Sequence, residues 1–132
     1  MSELAASYRE LFGGGVEEHR GRVFLSMGQG LVGVALFPFL ARVVVQRLAG
    51  IDASGPVIEV RNGWHRWVVL ADPNGLVLSP ADWPAGVEVL ECPRRVLLPS
   101  GSASARWVIR PDARHRWLPT LGAVLAAVRA VT

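Results

Sequence analysis

The residues whose chemistry most clearly suggests a function are six arginines in the last third of the chain. They are Arg94, Arg95, Arg106, Arg110, Arg114 and Arg116. An arginine side chain binds phosphate through two parallel hydrogen bonds, and exposed aromatic rings among such arginines can stack on nucleic-acid bases. If these arginines share one face, they predict a surface that binds nucleic acid or another anionic partner. If they scatter, or pair with acidic residues elsewhere in the chain, that prediction weakens.

The charge of the chain is distributed unevenly. Residues 1–91 contain seven arginines and ten acidic residues, a net charge of −3. Residues 92–132 contain seven arginines and a single acidic residue, Asp112, a net charge of +6. Clustered positive charge favours an anionic partner, so the C-terminal third is the part of the chain most suited to bind one.

Two tryptophans, Trp107 and Trp117, lie among these arginines. Tryptophan is more often a buried body with one polar handle than an exposed stacking platform, so we expect both to belong to the core. Alternation along the predicted strand 106–110 places Trp107 and Ile109 on one face. The binding hypothesis therefore depends on the arginines.

Catalytic and metal-binding patterns are absent from the sequence. His19, His65 and His115 are far apart, and no cysteines or histidines have the spacing of a zinc site. Glu88 and Glu91 are three residues apart, so on a strand they would point to opposite faces. We therefore predict no catalytic residue, no metal ion and no cofactor.

The single cysteine, Cys92, allows no internal disulfide, which is typical of a reducing compartment. Free cysteines are usually buried, and the adjacent Glu91 disfavours a thiolate, so we expect Cys92 to be buried or inert. The N-terminal residues do not resemble a signal peptide, and the apolar run Leu31–Ala41 is too short to span a bilayer. We expect a cytoplasmic protein with no membrane partner.

One glycine pattern suggests a different function. Gly28, Gly30 and Gly33 have the spacing G-x-G-x-x-G, which binds dinucleotides when it follows a strand and opens a helix. Here Pro38 is reached before any clear helix, and no acidic residue stands at a suitable strand end. A small-ligand enzyme that uses the Gly28–Gly33 loop is therefore an alternative, which a loop packed in the core would exclude.

These residues must be positioned by secondary structure, and the order of elements predicts one α+β domain over residues 1–132. Apolar spacing and capping residues predict helices over 2–12, 38–48 and 119–131. The middle helix should bury Phe39, Leu40, Val43, Val44 and Leu48. Alternating apolar residues predict a central, mostly antiparallel sheet of short strands. The strands lie over 22–27, 31–37 (or the approach to the helix), 57–60, 64–70, 76–78, 87–91, 96–98 and 106–110, with 16–21 as a polar connection.

Asn62-Gly63, flanked by apolar runs, is a strong signal for a β-hairpin with a two-residue turn. Such a turn places Glu59 opposite Arg66 as a cross-strand ion pair. It also places Ile58 opposite Trp67 as an aliphatic–aromatic pair.

The run Arg106–Pro119, followed by the small-residue segment Leu121–Ala130, resembles the C-terminal part of actinobacterial bifunctional DNA primase/polymerase (prim-pol) proteins. The resemblance extends more loosely over residues 30–132. It implies an α+β fold and, in active members, metal-dependent nucleotide transfer by acidic residues on strands. The chain departs from that pattern, since Leu31–Phe37 contains no acid and D-x-D and D-x-E do not occur. The resemblance therefore implies a relative without the catalytic acids.

Two further hypotheses accompany nucleic-acid binding. The low proportion of charged residues, 19%, and the five tryptophans are consistent with a protein-interaction or regulatory module that acts as a homodimer or as a partner subunit. The glycine loop supports the small-ligand alternative.

Overall fold

The computed structural model describes residues 2–77, 79–112 and 117–132. Within these ranges the chain forms three α-helices, a short 3-10 helix at Pro80–Asp82 and two antiparallel sheets, so the predicted α+β class is confirmed. The helices are α1 (Glu3–Phe12), α2 (Pro38–Gly50) and α3 (Leu121–Val131). The strands are β1 (Val16–His19), β2 (Arg22–Ser26), β3 (Val32–Leu36), β4 (Val57–Arg61), β5 (His65–Ala71), β6 (Glu88–Leu90), β7 (Arg95–Leu97) and β8 (Ala105–Ile109).

A five-stranded sheet in the order β6-β3-β5-β4-β8 separates two apolar cores. One face packs against α1 and the three-stranded sheet β1-β2-β7. The other face packs against α2 and α3. Every residue of β3 is buried, because this strand has a strand on each side and a core on each face. A continuous apolar run is the sequence pattern expected of such a strand.

The helices begin and end for local reasons. The Ser2 hydroxyl accepts a hydrogen bond from the Ala5 N–H at the start of α1, and Gly13, with φ +84°, ends that helix. Pro38 occupies the first turn of α2, as predicted. The last helix starts at Leu121 rather than Pro119, because the Thr120 hydroxyl caps it.

The predicted buried stripe of α2 was partly wrong. The helix buries Ala41, Val44 and Leu48, whereas Phe39 is 85% exposed and Val43 is 39% exposed. The spacing 41-44-48 follows one face of the helix, and the small side chain of Ala41 allows close packing on the sheet. Size and hydrophobicity alone had favoured Phe39 over the alanine.

A hairpin replaces the polar connection predicted for residues 16–21. Val16 pairs with Leu25 and His19 pairs with Arg22, closing a two-residue turn. Arg20 and Gly21 both have positive φ, 52° and 79°, which is what the tight hairpin turn requires. Arginine rarely adopts a positive φ, so the residue types at positions 20 and 21 did not predict this turn.

The predicted register of the β4–β5 hairpin was wrong by one residue. Arg61 pairs with His65, and Glu59 pairs with Trp67, so three residues form the loop. Gly63 has a φ of +70°, but Asn62 is not among the residues with positive φ, which excludes the predicted two-residue turn. A shift of one residue exchanges the partners of every side chain, so the predicted Glu59–Arg66 and Ile58–Trp67 pairs do not form.

Two other strand predictions also failed. A bulge between β4 and β8 pairs Ile58 with Trp107 and Val57 with Ile109. Trp107 therefore packs on the core beside α1, and Ile109 packs on the core beside α2 and α3, rather than both on one face.

The strand predicted over residues 76–78 is also wrong where it can be compared. Residues 76–77 are not in a strand, because the Leu76 N–H closes a turn onto the Pro73 carbonyl. Residue 78 lies outside the described residues.

Candidate anion-binding site

The corrected hairpin register brings four ionisable side chains together on β4, β5 and β8. Glu59 and Arg61 are two residues apart on β4, so they lie on one face of the sheet. His65 lies directly opposite Arg61, and Arg106 lies directly opposite Glu59. We call these four residues the Glu59 cluster.

Glu59 is the centre of this cluster and the only buried charged or polar residue of the described core. Its Oε1 accepts a hydrogen bond from Arg106 Nε at 2.5 Å. Its Oε2 lies 2.6 Å from His65 Nε2 and 3.2 Å from both Nε and Nη2 of Arg61. The buried carboxylate is thereby fully hydrogen-bonded, which is the condition for keeping a charge inside a protein.

The electrostatics keep Glu59 ionised. Burial by itself would raise the pKa of this carboxyl, but the hydrogen bonds from His65, Arg106 and Arg61 outweigh it and lower the pKa to about 2. With a neutral imidazole, the cluster therefore carries two positive charges and one negative charge. Protonation of His65 would add a third positive charge.

The three partners are much more exposed than the carboxylate that they surround. The side chain of Glu59 is 4% exposed, against 57% for Arg61, 49% for His65 and 63% for Arg106. Among the described residues, both Nη atoms of Arg106, Nη1 of Arg61 and Nδ1 of His65 make no hydrogen bond. The cluster can thus offer several donors and a net positive charge to an anion in solvent.

The basic surface continues around the tip of the β4–β5 hairpin. The guanidinium of Arg66 lies 3.9 Å from the centre of the Phe37 ring and 5.7 Å from that of Trp64. Its Nη1 also donates to the carbonyl of His65. Cation–π contacts orient an arginine without neutralising it, so Arg66 adds positive charge on the opposite face of the sheet from the Glu59 cluster, since it alternates with His65 along β5.

Four of the six predicted arginines lie within the described residues, and among these four only Arg106 belongs to the Glu59 cluster. Arg94 forms an ion pair with Glu88 at 2.8 Å, next to the three-stranded sheet. Arg95, on β7, lies 3.7 Å from Glu17 and stacks on the Phe24 ring at 4.2 Å. These two arginines are matched by acids, whereas Arg110 makes no ion pair among the described residues. Arg114 and Arg116 lie outside the described residues.

Sequence reasoning missed Glu59, Arg61 and His65 as a unit. The available signal was a single glutamate inside the apolar run Val57–Val60, since a buried acid needs partners. The wrong hairpin register assigned Arg66 as that partner and left Arg61 and His65 unconnected. The long-range partner Arg106, 47 residues away, could not be assigned by spacing.

The two tryptophans of the basic segment have different environments. Trp107 is half-buried and stacks on Phe12, with ring centres 6.4 Å apart. Trp117 is 46% exposed, so its expected place in the core was wrong. It lies before the start of α3, outside any helix or strand.

The glycine loop does not form a dinucleotide fingerprint, because it connects β2 to β3 and no helix follows it. Gly28 and Gln29 nevertheless line a cavity of about 610 Å³, together with Gly13–Gly15 and Cys92. The loop therefore borders a cavity, so the small-ligand alternative is not excluded. Cys92 was expected to be buried or inert; it is exposed at the rim of this cavity, so burial is excluded and its inertness stays a prediction.

Within the described parts of the chain, no group of three or more histidine, cysteine or acidic residues is arranged to hold a metal ion. In the same ranges, no helix is long and apolar enough to cross a bilayer. The chain matches no protein-family model, no curated protein and no solved structure.

Proposed function

We propose that the protein is a cytoplasmic binding module that contacts a phosphate-bearing partner, with nucleic acid as the first candidate, through the Glu59 cluster. The observation that supports this proposal most directly is that one buried carboxylate organises more positive charge than it neutralises. A single arginine would be enough to neutralise the charge of Glu59 in an ordinary ion pair. Here two arginines and a histidine surround Glu59 and expose their outer edges to solvent.

Two features favour nucleic acid among anionic partners. Trp64 is partly exposed and Arg66 makes no ion pair among the described residues; both lie near the tip of the same hairpin, and bases stack on such side chains. The resemblance of residues 106–119 to prim-pol proteins points to the same class of partner. Arg110, Arg114 and Arg116 belong to that segment and are further candidates for contact with nucleic acid.

The test is fluorescence anisotropy with labelled single-stranded DNA and RNA oligonucleotides between 50 and 200 mM salt. We expect Arg61→Gln/Arg106→Gln to bind more weakly, with a log–log salt slope reduced by roughly 1.4, since each lost phosphate contact on a single strand contributes about 0.7. Glutamine keeps a donor for Glu59, so circular dichroism should report a folded protein.

Two controls decide how the result is interpreted. Arg94→Gln/Arg95→Gln removes the same charge from arginines that already face Glu88 and Glu17, and should leave the salt slope unchanged. Arg110→Ala/Arg114→Ala/Arg116→Ala tests the C-terminal segment separately. Absence of wild-type binding at 50 mM salt would exclude nucleic acid, and equal losses in both double variants would reduce the effect to net charge.

A second candidate function, a homodimeric interaction module, is favoured by the outer face of α2. Phe39 and Val43 are four residues apart on that helix and are exposed, so they form a short apolar stripe. Large exposed apolar side chains are typical of interaction surfaces. Light scattering over a concentration series should then give a dimer mass for the wild type and a monomer mass for Phe39→Asp. A wild-type monomer at all concentrations would exclude the dimer.

A further inference from the structure

A second cavity lies between α1 and the end of β8, away from the Glu59 cluster. Its volume is about 440 Å³, within the range of small-molecule sites. Leu4, Tyr8 and Leu11 line it from α1, and Trp107 and Arg110 line it from the other side. Residues 4, 8 and 11 have the spacing of one helical face, so α1 presents an apolar wall to the cavity.

The aromatic walls are held in place by contacts inside the protein. The Tyr8 hydroxyl donates to the Pro99 carbonyl at 2.6 Å, and Trp107 Nε1 donates to the Tyr8 hydroxyl at 3.1 Å. The Trp107 ring also stacks on Phe12 with an interplanar angle of 17°. Both polar atoms of these walls are therefore satisfied, and what the rings offer to a ligand is flat carbon surface.

Two charged residues of opposite sign, Arg110 and Glu10, line this cavity. Arg110 is exposed and, among the described residues, has no carboxylate within ion-pair distance, although it is close enough to Tyr8 to act on the phenol electrostatically. Glu10 lies on the α1 side of the same cavity. One positive and one negative side chain in the lining favour a ligand with a single carboxylate, because Glu10 repels a second carboxylate.

We propose that this cavity binds a small aryl monocarboxylate, with its ring packed against Trp107 and the apolar face of α1 and its carboxylate on Arg110. A guanidinium binds a carboxylate with two parallel hydrogen bonds, and aromatic rings prefer offset or edge-to-face contact with aromatic walls. The site is independent of the Glu59 cluster, since it shares no residue with it.

Isothermal titration calorimetry with 2-naphthoate tests the proposal, with 2-naphthylmethanol and naphthalene-2,6-dicarboxylate as comparison ligands. We expect naphthoate to bind roughly tenfold or more tightly than the neutral alcohol, as one charge-assisted hydrogen-bonded pair implies. The dicarboxylate should bind more weakly than naphthoate. Equal affinity for naphthoate and the alcohol, or no detectable binding of naphthoate at millimolar concentration, would overturn the proposal.

Variants separate this cavity from the other arginine sites. Arg110→Gln should remove the preference for naphthoate while keeping the affinity for the alcohol. Leu4→Asp should weaken both ligands, and because Leu4 is 38% exposed this variant should fold. Arg94→Gln and Arg61→Gln carry the same charge change at the other arginine sites and should bind naphthoate like the wild type. Undiminished binding in Arg110→Gln, or loss in Arg61→Gln, would place the ligand elsewhere and refute the assignment.

Discussion

Replacement of Glu59 by glutamine is expected to lower the free energy of unfolding at pH 7 by about 3 kcal/mol. The protein environment lowers the pKa of Glu59 from 4.5 to about 2, and each pKa unit corresponds to about 1.4 kcal/mol of preference for the ionised form. Glutamine has nearly the same shape as a protonated glutamate. It therefore reports what the negative charge contributes between His65, Arg61 and Arg106. Urea unfolding followed by circular dichroism measures the difference.

The lowered pKa of Glu59 also predicts how the stability difference between the wild type and Glu59→Gln varies with pH. Because the folded-state pKa of Glu59 lies below the unfolded-state value, the unfolded chain binds the proton first as the pH falls. The contribution is fully present above about pH 4.5 and is lost as the pH falls towards about 2. The stability difference between wild type and Glu59→Gln should therefore shrink from about 3 kcal/mol at pH 6 to near zero at pH 2.

An exposed ion pair provides the matched control. Glu88 pairs with Arg94, but both side chains are about half exposed, 49% and 56%. Glu88→Gln should cost less than about 1 kcal/mol, the usual range for surface pairs. If Glu59→Gln behaves like Glu88→Gln, the Glu59 cluster is not the organised site described above.

The second large effect is expected at Phe12. Phe12→Ala should destabilise the protein by about 3–5 kcal/mol, the usual cost of truncating a buried phenylalanine. Phe12 is 5% exposed and packs against Tyr8 and Trp107, so it joins the end of α1 to β8. Truncation removes apolar contacts and leaves a cavity under the helix.

Phe39→Ala makes the same chemical change on the surface. Phe39 is 85% exposed, so its truncation should change stability by less than about 0.5 kcal/mol when measured at a concentration where the protein is monomeric. Hydrogen exchange gives an independent readout, because Phe12→Ala should reduce the protection of α1 amides more than that of β3. Similar losses in Phe12→Ala and Phe39→Ala would contradict the packing described for α1.

The helices and most of the strands could be predicted because their signals are local. Ser2 with the following apolar spacing, Pro38 at the start of α2, and the apolar run of β3 each act within a few residues. The failures have a common cause. The turns at Arg20-Gly21 and Asn62-Gly63 depend on backbone φ angles, which the residue types favour but do not fix. At Asn62 the φ angle differs from the one that a two-residue turn requires, and the register of β4 and β5 shifts by one residue as a result.

In the basic C-terminal segment, too, the local features could be predicted and the contacts between distant residues could not. The concentration of positive charge after residue 91 and the α+β class could both be predicted from the residues, because charge is counted and secondary structure is largely local. Which arginines remain available to a partner depends instead on how the strands and sheets pack. Strand pairing placed Arg106 beside Glu59, and sheet packing placed Arg94 and Arg95 beside acids. Ion pairs between distant residues depend on where strands meet, and sequence spacing does not encode those distances.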